Sequence, residues 1–482
     1  MMLSEKLYPQ RVFYYFEQIA AIPHGSRNTK AISDYLVDFA KEHNLVWYQD
    51  ENNNVVIVKE ASAGYEAAEP IIIQGHMDMV CEKEKGVDID FEKDGLKLYI
   101  DGDFLKAEGT TLGGDDGIAV AYALALLDSQ EIAHPKLEVV ITVDEEIGML
   151  GADAIDLSML TGHTMLNIDS EVEGSFLTGC AGGMAVNVTL PIKRVMQSGE
   201  KVALTITGLE GGHSGSEIDK EHGNANILMG RLLRALFEET PFGIISLAGG
   251  LKDNAITREC VTELLVPQEN VNLVKEIADK LDIELKKEFM TADPSVCIEF
   301  EDLGKKEESI LDFGSVSRVI FYLRSVPNGV QHMCQVMHGL VETSLNLGIM
   351  ELKEDALHTV TSIRSSVGTR KADLLDRVTA IVELLGGEAE VEGDYPAWEY
   401  KQDSSLRPQI AKVYKQLYGK DPVFETIHAG LECGLLSEKI KNLDCVSFGP
   451  DNFDIHTPKE RLSISSTGRV WDFIVEFLRQ AK

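Results

Sequence analysis

Gln74-Gly75-His76-Met77-Asp78 closes an apolar run at residues 71–73, and the same arrangement recurs along the chain. Asp115-Asp116 follows the loop at 110–114, Glu145-Glu146 follows the apolar run at 137–143, and Asp169 ends the run at 165–168. His456 offers the same ligand chemistry far away in sequence. One His-x-Asp would be noise. Imidazole and carboxylate groups delivered repeatedly to strand ends carry more weight, because an open α/β sheet binds its ligands where strands give way to loops. These residue types hold divalent metals, and the set suggests a site for two ions.

Outward from these runs, helical periodicity at 8–22 stops before Pro23, a second amphipathic helix is expected at 29–43, and a strand at 54–59. Strand 71–74, helix 117–127 and strands 137–143 and 165–169 follow. This β/α alternation predicts a layered α/β domain with a largely parallel central sheet. The texture changes near Cys180-Ala181-Gly182-Gly183, where 184–191 and 202–208 alternate as exposed strands do, before a Gly-rich patch at 208–215 and a helix at 225–237. The strand-then-helix order returns at 356–365 and 371–385. Residues 186–393 therefore read as an inserted α+β domain of two related lobes. Helix 406–418, strand 445–448 and a last helix at 466–480 resume the first texture. The expected catalytic domain is discontinuous, made of 1–185 and 394–482.

A chain of 482 residues exceeds one compact core, as two or more domains require. The 45 Lys+Arg against 79 Asp+Glu give −34, which disfavours nucleic acid and anionic membrane as partners. A well-solvated surface accounts for that charge. The start, Met1-Met2-Leu3-Ser4-Glu5-Lys6-Leu7-Tyr8-Pro9, lacks the layout of a signal peptide, and no apolar run approaches the roughly 20 residues needed to span a bilayer. The 7 cysteines are odd in number and show no paired metal spacing, as free thiols of a reducing compartment would. A cytoplasmic protein is expected.

Several further motifs stand in one order: Gly75-His76-Met77-Asp78-Met79-Val80, Thr110-Thr111-Leu112-Gly113-Gly114-Asp115, Asp144-Glu145-Glu146-Ile147-Gly148 and Asn167-Ile168-Asp169-Ser170-Glu171. Gly211-Gly212-His213-Ser214-Gly215, Gly223-Asn224-Ala225-Asn226, Tyr395-Pro396-Ala397-Trp398, His428-Ala429-Gly430-Leu431-Glu432-Cys433-Gly434 and His456-Thr457-Pro458 follow. With them the chain resembles, over nearly its whole length, the M20 family of di-zinc peptidases, and within it the aminoacyl-histidine dipeptidase (peptidase D, carnosinase-like) branch. The resemblance implies a di-zinc exopeptidase-type catalytic domain with an inserted lid. It implies two divalent ions per chain, zinc first, with manganese and cobalt sharing the same ligands. One ion would be held by His76, Asp115 and Asp169, the other by Asp115, Glu146 and His456. It also implies Glu145 as general base and Asp78 as the residue orienting His76. Two positions depart from the usual pattern: the family often has Asn where Asp116 stands and His near Asp219, so neither is counted as essential.

The chemistry explains the residue types. Divalent zinc can bring the pKa of a bound water to roughly 7, and a carboxylate shared by two ions partly neutralises both. Adjacent side chains in Glu145-Glu146 diverge, so one can ligate while the other takes a proton and returns it to the leaving amine. Asp78 can accept the second ring N–H of His76. In the insert, the glycines around His213 permit close backbone approach, and that imidazole resembles the lid histidine that binds the scissile carbonyl. Arg364 resembles the lid arginine that grips a free carboxylate, with Arg324 its rival. Asn254 and Glu432 are further substrate-binding candidates, Glu432 for an ammonium group. The activity implied is hydrolysis of unblocked dipeptides, aminoacyl-histidine substrates such as carnosine in particular, with substrate length limited by a closing lid. Tripeptidase or N-acyl amino acid hydrolase activity is the alternative within the family. A non-catalytic peptide-binding protein would be expected to have lost a base or ligand, and every position is filled. Monomer and homodimer both remain open.

Overall fold

The computed structural model of the protein describes residues 3–482. Met1 and Met2, the first residues of the start read above and of the expected catalytic domain, lie outside the described residues. Contacts divide the chain into two units. One runs to Cys180 and takes in Tyr400–Thr426 and Leu431–Lys482; the other is Ala181–Glu399 with Ile427–Gly430. These borders differ from 185/186 and 393/394. Strand Gly182–Pro191 already belongs to the insert's sheet, and strand Glu388–Tyr395 pairs with it past residue 393.

The first unit is built on an eight-stranded sheet in the order Val46–Gln49, Val55–Lys59, Leu137–Thr142, Ile71–His76, Thr164–Asn167, Asp444–Ser447, Ser175–Cys180, Val423–Ile427. Its four middle strands are parallel, and the neighbours on either side run antiparallel. The middle strands are buried on both faces, which is why they read as continuous apolar runs rather than alternations. Helix Gly114–Asp128 is apolar all round and buried from residue 116 to 127, as a helix enclosed on every side must be. His76 pairs with Thr142 and Gln74 with Asn167, so three parallel strands end nearly level and their loops open at one edge.

A second sheet of four short strands, in the order Asn452–Phe453, Arg461–Ser463, Phe104–Ala107, Leu98–Asp101, ties the C-terminal part to the N-terminal part. Leu462 opposes Leu105 and Ser463 opposes Phe104. The loop bearing His456 is thereby fixed beside the segment leading to Asp115.

The insert carries one sheet of nine strands in which a four-stranded half and a five-stranded half are joined by only two residue pairs, Ala248–Glu351 and Gly249–Met350. One half packs helices Ala225–Glu239 and Val271–Glu288, the other Gly368–Leu384, with Phe313–Ser325 between them. Two α+β lobes fused through one sheet is the expected architecture, with its own apolar core. Among the described residues, no helix is long and apolar enough to cross a membrane.

Candidate metal centre and active site

The strand ends bring His76, Asp115, Glu145, Glu146, Asp169 and His456 together in the first unit. Asp115 stands between two imidazoles: His76 Nε2 is 3.3 Å from its Oδ1, and His456 Nε2 is 3.1 Å from its Oδ2. His456 Nε2 is also 3.1 Å from Glu146 Oε2, and His76 Nε2 lies 3.7 Å from Asp169 Oδ1 and 4.0 Å from Glu145 Oε2. His76 with Glu145 and Glu146, and Asp115 with Glu146 and His456, form groups whose ligand atoms all lie within 4.8 Å of one another.

The local backbone explains this convergence. Helix Gly114–Asp128 departs from helical angles at Asp115 (φ −87°, ψ 105°) and Asp116 (φ −118°, ψ 30°), so the two carboxylates point differently. His76 Nδ1 faces the Asp78 carbonyl oxygen at 3.0 Å and its carboxylate at 3.4 Å, which leaves Nε2 aimed into the cluster. Asp78 also accepts the backbone N–H groups of Glu145 (3.1 Å) and Glu146 (3.4 Å) and the Ser26 hydroxyl (2.8 Å). One fully buried carboxylate thus fixes both the imidazole and the Glu-Glu turn.

His76 Nε2 and Glu146 Oε1 are buried without a hydrogen-bond partner. Burial pushes the Glu145 carboxyl well above its ordinary range, reinforced by the carboxylates of Asp169, Glu432 and Glu146. Burial likewise raises Glu146. For His76, burial acts downward but is outweighed by Asp115, Asp169 and Asp78, so the ring is raised. Orphaned ligand atoms among crowded carboxylates fit divalent cations, and imidazole with carboxylate is a donor set for zinc, manganese or cobalt.

Four residues close to the cluster carry no role assigned from the sequence. Asp116, set aside above, is buried; its Oδ2 accepts the His76 N–H at 3.1 Å, and its carboxylate groups with His76 and Asp169. Gly75 makes room for it, since a Cβ there would collide with Asp116 and Ala119. Glu171 is pushed up to about 7 by burial and by Asp115 and Asp169. Glu460, 3 % exposed, accepts the N–H groups of Leu112 (2.7 Å), Gly113 (3.0 Å), Gly114 (2.8 Å) and Asp115 (3.3 Å). In sequence, Pro458-Lys459-Glu460-Arg461 reads as a solvated charge run. Glu460→Ala strands these four donors and is expected to cost about 3 kcal/mol or more. The thermal midpoint of the metal-free protein measures it, and a fall of less than about 2 °C would contradict it.

Glu432 is fully buried, its Oε2 accepting from Gln74 Nε2 and Thr142 Oγ1, each at 2.6 Å. Burial lifts it to about 7. Its carboxylate serves the protein's own side chains beneath the strand ends, and its Oε1 has no partner.

In the insert, His213 ends the two-residue strand Gly212–His213, paired with Ala255–Ile256. Its Nδ1 accepts the N–H groups of Gly215 (3.2 Å) and Ser216 (3.1 Å), which places the ring proton on Nε2. Burial and then Arg364 lower its pKa, favouring the neutral ring. Asn254 supports this turn through its backbone, its carbonyl accepting from the Ser214 N–H at 2.9 Å, while its side chain is exposed. Arg364 is half-buried and donates through Nη1 to Tyr395 Oη at 3.2 Å. Arg324 is exposed in the last turn of helix Phe313–Ser325.

The profile of peptidase family M20/M25/M40 matches residues 72–480. The chain belongs to this family. It is 35% identical over 477 residues to the cytosol non-specific dipeptidase of Escherichia coli K12, covering 98% of each chain. The crystal structure of aminoacylhistidine dipeptidase from Vibrio alginolyticus superposes with a TM-score of 0.93 at 36% identity, over 99% of this chain and 98% of that one. A tripeptidase from Staphylococcus aureus shares the fold at 16% identity and a TM-score of 0.55, with 98% of each chain covered. The departures at Asp116 and Asp219 thus sit inside an M20 framework.

Proposed function

We propose that this M20 peptidase is a metal-dependent dipeptidase of the cytoplasm that hydrolyses unblocked dipeptides, with aminoacyl-histidine substrates preferred. The carrying observation is Asp115, with one oxygen facing each imidazole, and the Glu145 carboxyl 4.0 Å from His76 Nε2. The two dipeptidase relatives, similar over nearly the whole chain, support the substrate class.

His76, Asp115 and Asp169 would hold one ion and Asp115, Glu146 and His456 the other, zinc being the metal proposed. Bound there, two divalent ions would supply a water of lowered pKa, roughly 7 with zinc, and a positive field for charge on the substrate oxygen. Glu145 takes the proton of the attacking water on a carboxylate oxygen and delivers it to the leaving amine nitrogen. Asp78 keeps the His76 lone pair on Nε2 directed at the cluster. From the insert, His213 donates Nε2–H to the scissile carbonyl oxygen and Arg364 pairs with the free carboxylate of the substrate.

The test is a substrate panel after chelation and reloading with zinc, manganese or cobalt. Histidine release from β-alanyl-histidine should exceed turnover of tripeptides and N-acyl amino acids, and the reverse order would refute the reading. Arg364→Ala should lower kcat/KM on free dipeptides by a charge-assisted hydrogen bond's worth, about 1.5–3 kcal/mol, or roughly ten- to a hundred-fold. Amidated dipeptides should suffer far less. Selective loss in Arg324→Ala instead would move the role there.

A further inference from the structure

Ser344 and Arg364 face each other across the antiparallel strands Val341–Leu352 and Ala356–Ser365, so their side chains share one face of the insert's sheet. Ser344 Oγ lies 2.7 Å from Nε2 of His428, in the loop Ile427–Gly430 that belongs to the same unit. On its other side Arg364 pairs with Gly183, where a Cβ would stand 2.5 Å from Tyr395 Oη; the missing side chain lets that hydroxyl meet the guanidinium. Two nitrogens in this group are buried with no partner, Nε of Arg364 and Nδ1 of His428, and His428 is only 6 % exposed. Buried polar nitrogens left unpaired are costly, and two in one side-chain cluster point to a missing partner.

We propose that His428 is a specificity-determining residue that donates Nδ1–H to the C-terminal carboxylate of the substrate, alongside Arg364, with Ser344 fixing the required tautomer. This rests on the dipeptidase reading and adds a second donor to it. If the Ser344 hydroxyl donates to Nε2, the single proton of the neutral ring must sit on Nδ1. Burial, with Arg364 and His213 nearby, pushes the ring down to about 3, so His428 brings a donor without a second cation. A carboxylate then satisfies both orphaned groups at once, which an amide oxygen with its single acceptor atom does less well. The motif His428-Ala429-Gly430 has a further role here, because a Cβ at Gly430 would crowd the Tyr395 ring at 2.8 Å.

The experiment compares a free dipeptide with its C-terminal amide in metal-loaded wild type, His428→Leu, His428→Asn, Ser344→Ala and Arg364→Ala. His428→Leu should lower kcat/KM on the free dipeptide about ten-fold, mainly through KM, with the amide falling far less. Asn carries a donor near the Nδ1 position and should restore most of the preference. Ser344→Ala, which removes one oxygen, should reduce the preference by about three-fold and serves if the Leu variant does not fold. An unchanged acid-over-amide ratio in Ser344→Ala and His428→Leu, or equal losses on both substrates, overturns the proposal. If Arg364→Ala alone abolishes the ratio, the clamp at Arg364 stands and only the role of His428 falls. If wild type shows no preference for the free acid, both fall.

Discussion

Glu145→Gln is expected to lower kcat by 10²- to 10⁴-fold while the protein still binds two ions, the range that loss of a general base produces. The two neighbouring glutamates are not equivalent. Glu146 Oε2 is within 3.1 Å of His456 Nε2, whereas the nearest imidazole nitrogen to Glu145 is 4.0 Å away. Both are anchored through their backbone N–H groups on Asp78, an interaction that a side-chain amide leaves intact. Gln keeps the size of the side chain and removes only the capacity to take a proton. Steady-state kinetics with metal analysis on the same sample checks it. A variant retaining more than about a tenth of wild-type kcat would contradict the assignment.

His456→Ala is expected to weaken one of the two ions by about a hundred-fold or more, since even residues that merely support a ligand account for 10- to 100-fold in metal affinity. The imidazole is the one nitrogen ligand proposed for its ion, beside Asp115 and Glu146 at 3.1 Å each. Its loop is held by strands Asn452–Phe453 and Arg461–Ser463, and its side chain is 46 % exposed, so the substitution leaves no cavity. Competition with a chelator measures the affinity. Two ions per chain bound as tightly as in wild type would dismantle the discontinuous site.

What the sequence makes legible follows from the physics of each element. The parallel strands are legible because burial on both faces demands continuous apolar runs, and their polar ends then stand out. Helix Leu406–Tyr418 and strand Ala356–Ser365 fall at the residues their periodicity predicts. The start of helix Gly114–Asp128 is not legible, because Asp115 and Asp116 leave helical angles to serve the cluster. Strands Asn452–Phe453 and Arg461–Ser463 are too short to show a period, yet they bring His456 to Asp115. Glu460 and His428 are hidden for a related reason: their partners are backbone donors and side chains remote in the chain. The strand Cys297–Leu311, paired along its length with Arg194–Thr207, is rich in charge and gives no apolar alternation.

On the proposed reading, two ions bound around Asp115 would make this chain a dipeptidase. Metal-free protein titrated with zinc, with bound ions counted by equilibrium dialysis while hydrolysis of β-alanyl-histidine is followed, tests it directly. Saturation at two ions per chain with dipeptide hydrolysis rising to its full value is the predicted result. Undiminished hydrolysis by the metal-free protein, or none on any free dipeptide with both ions bound, would contradict it.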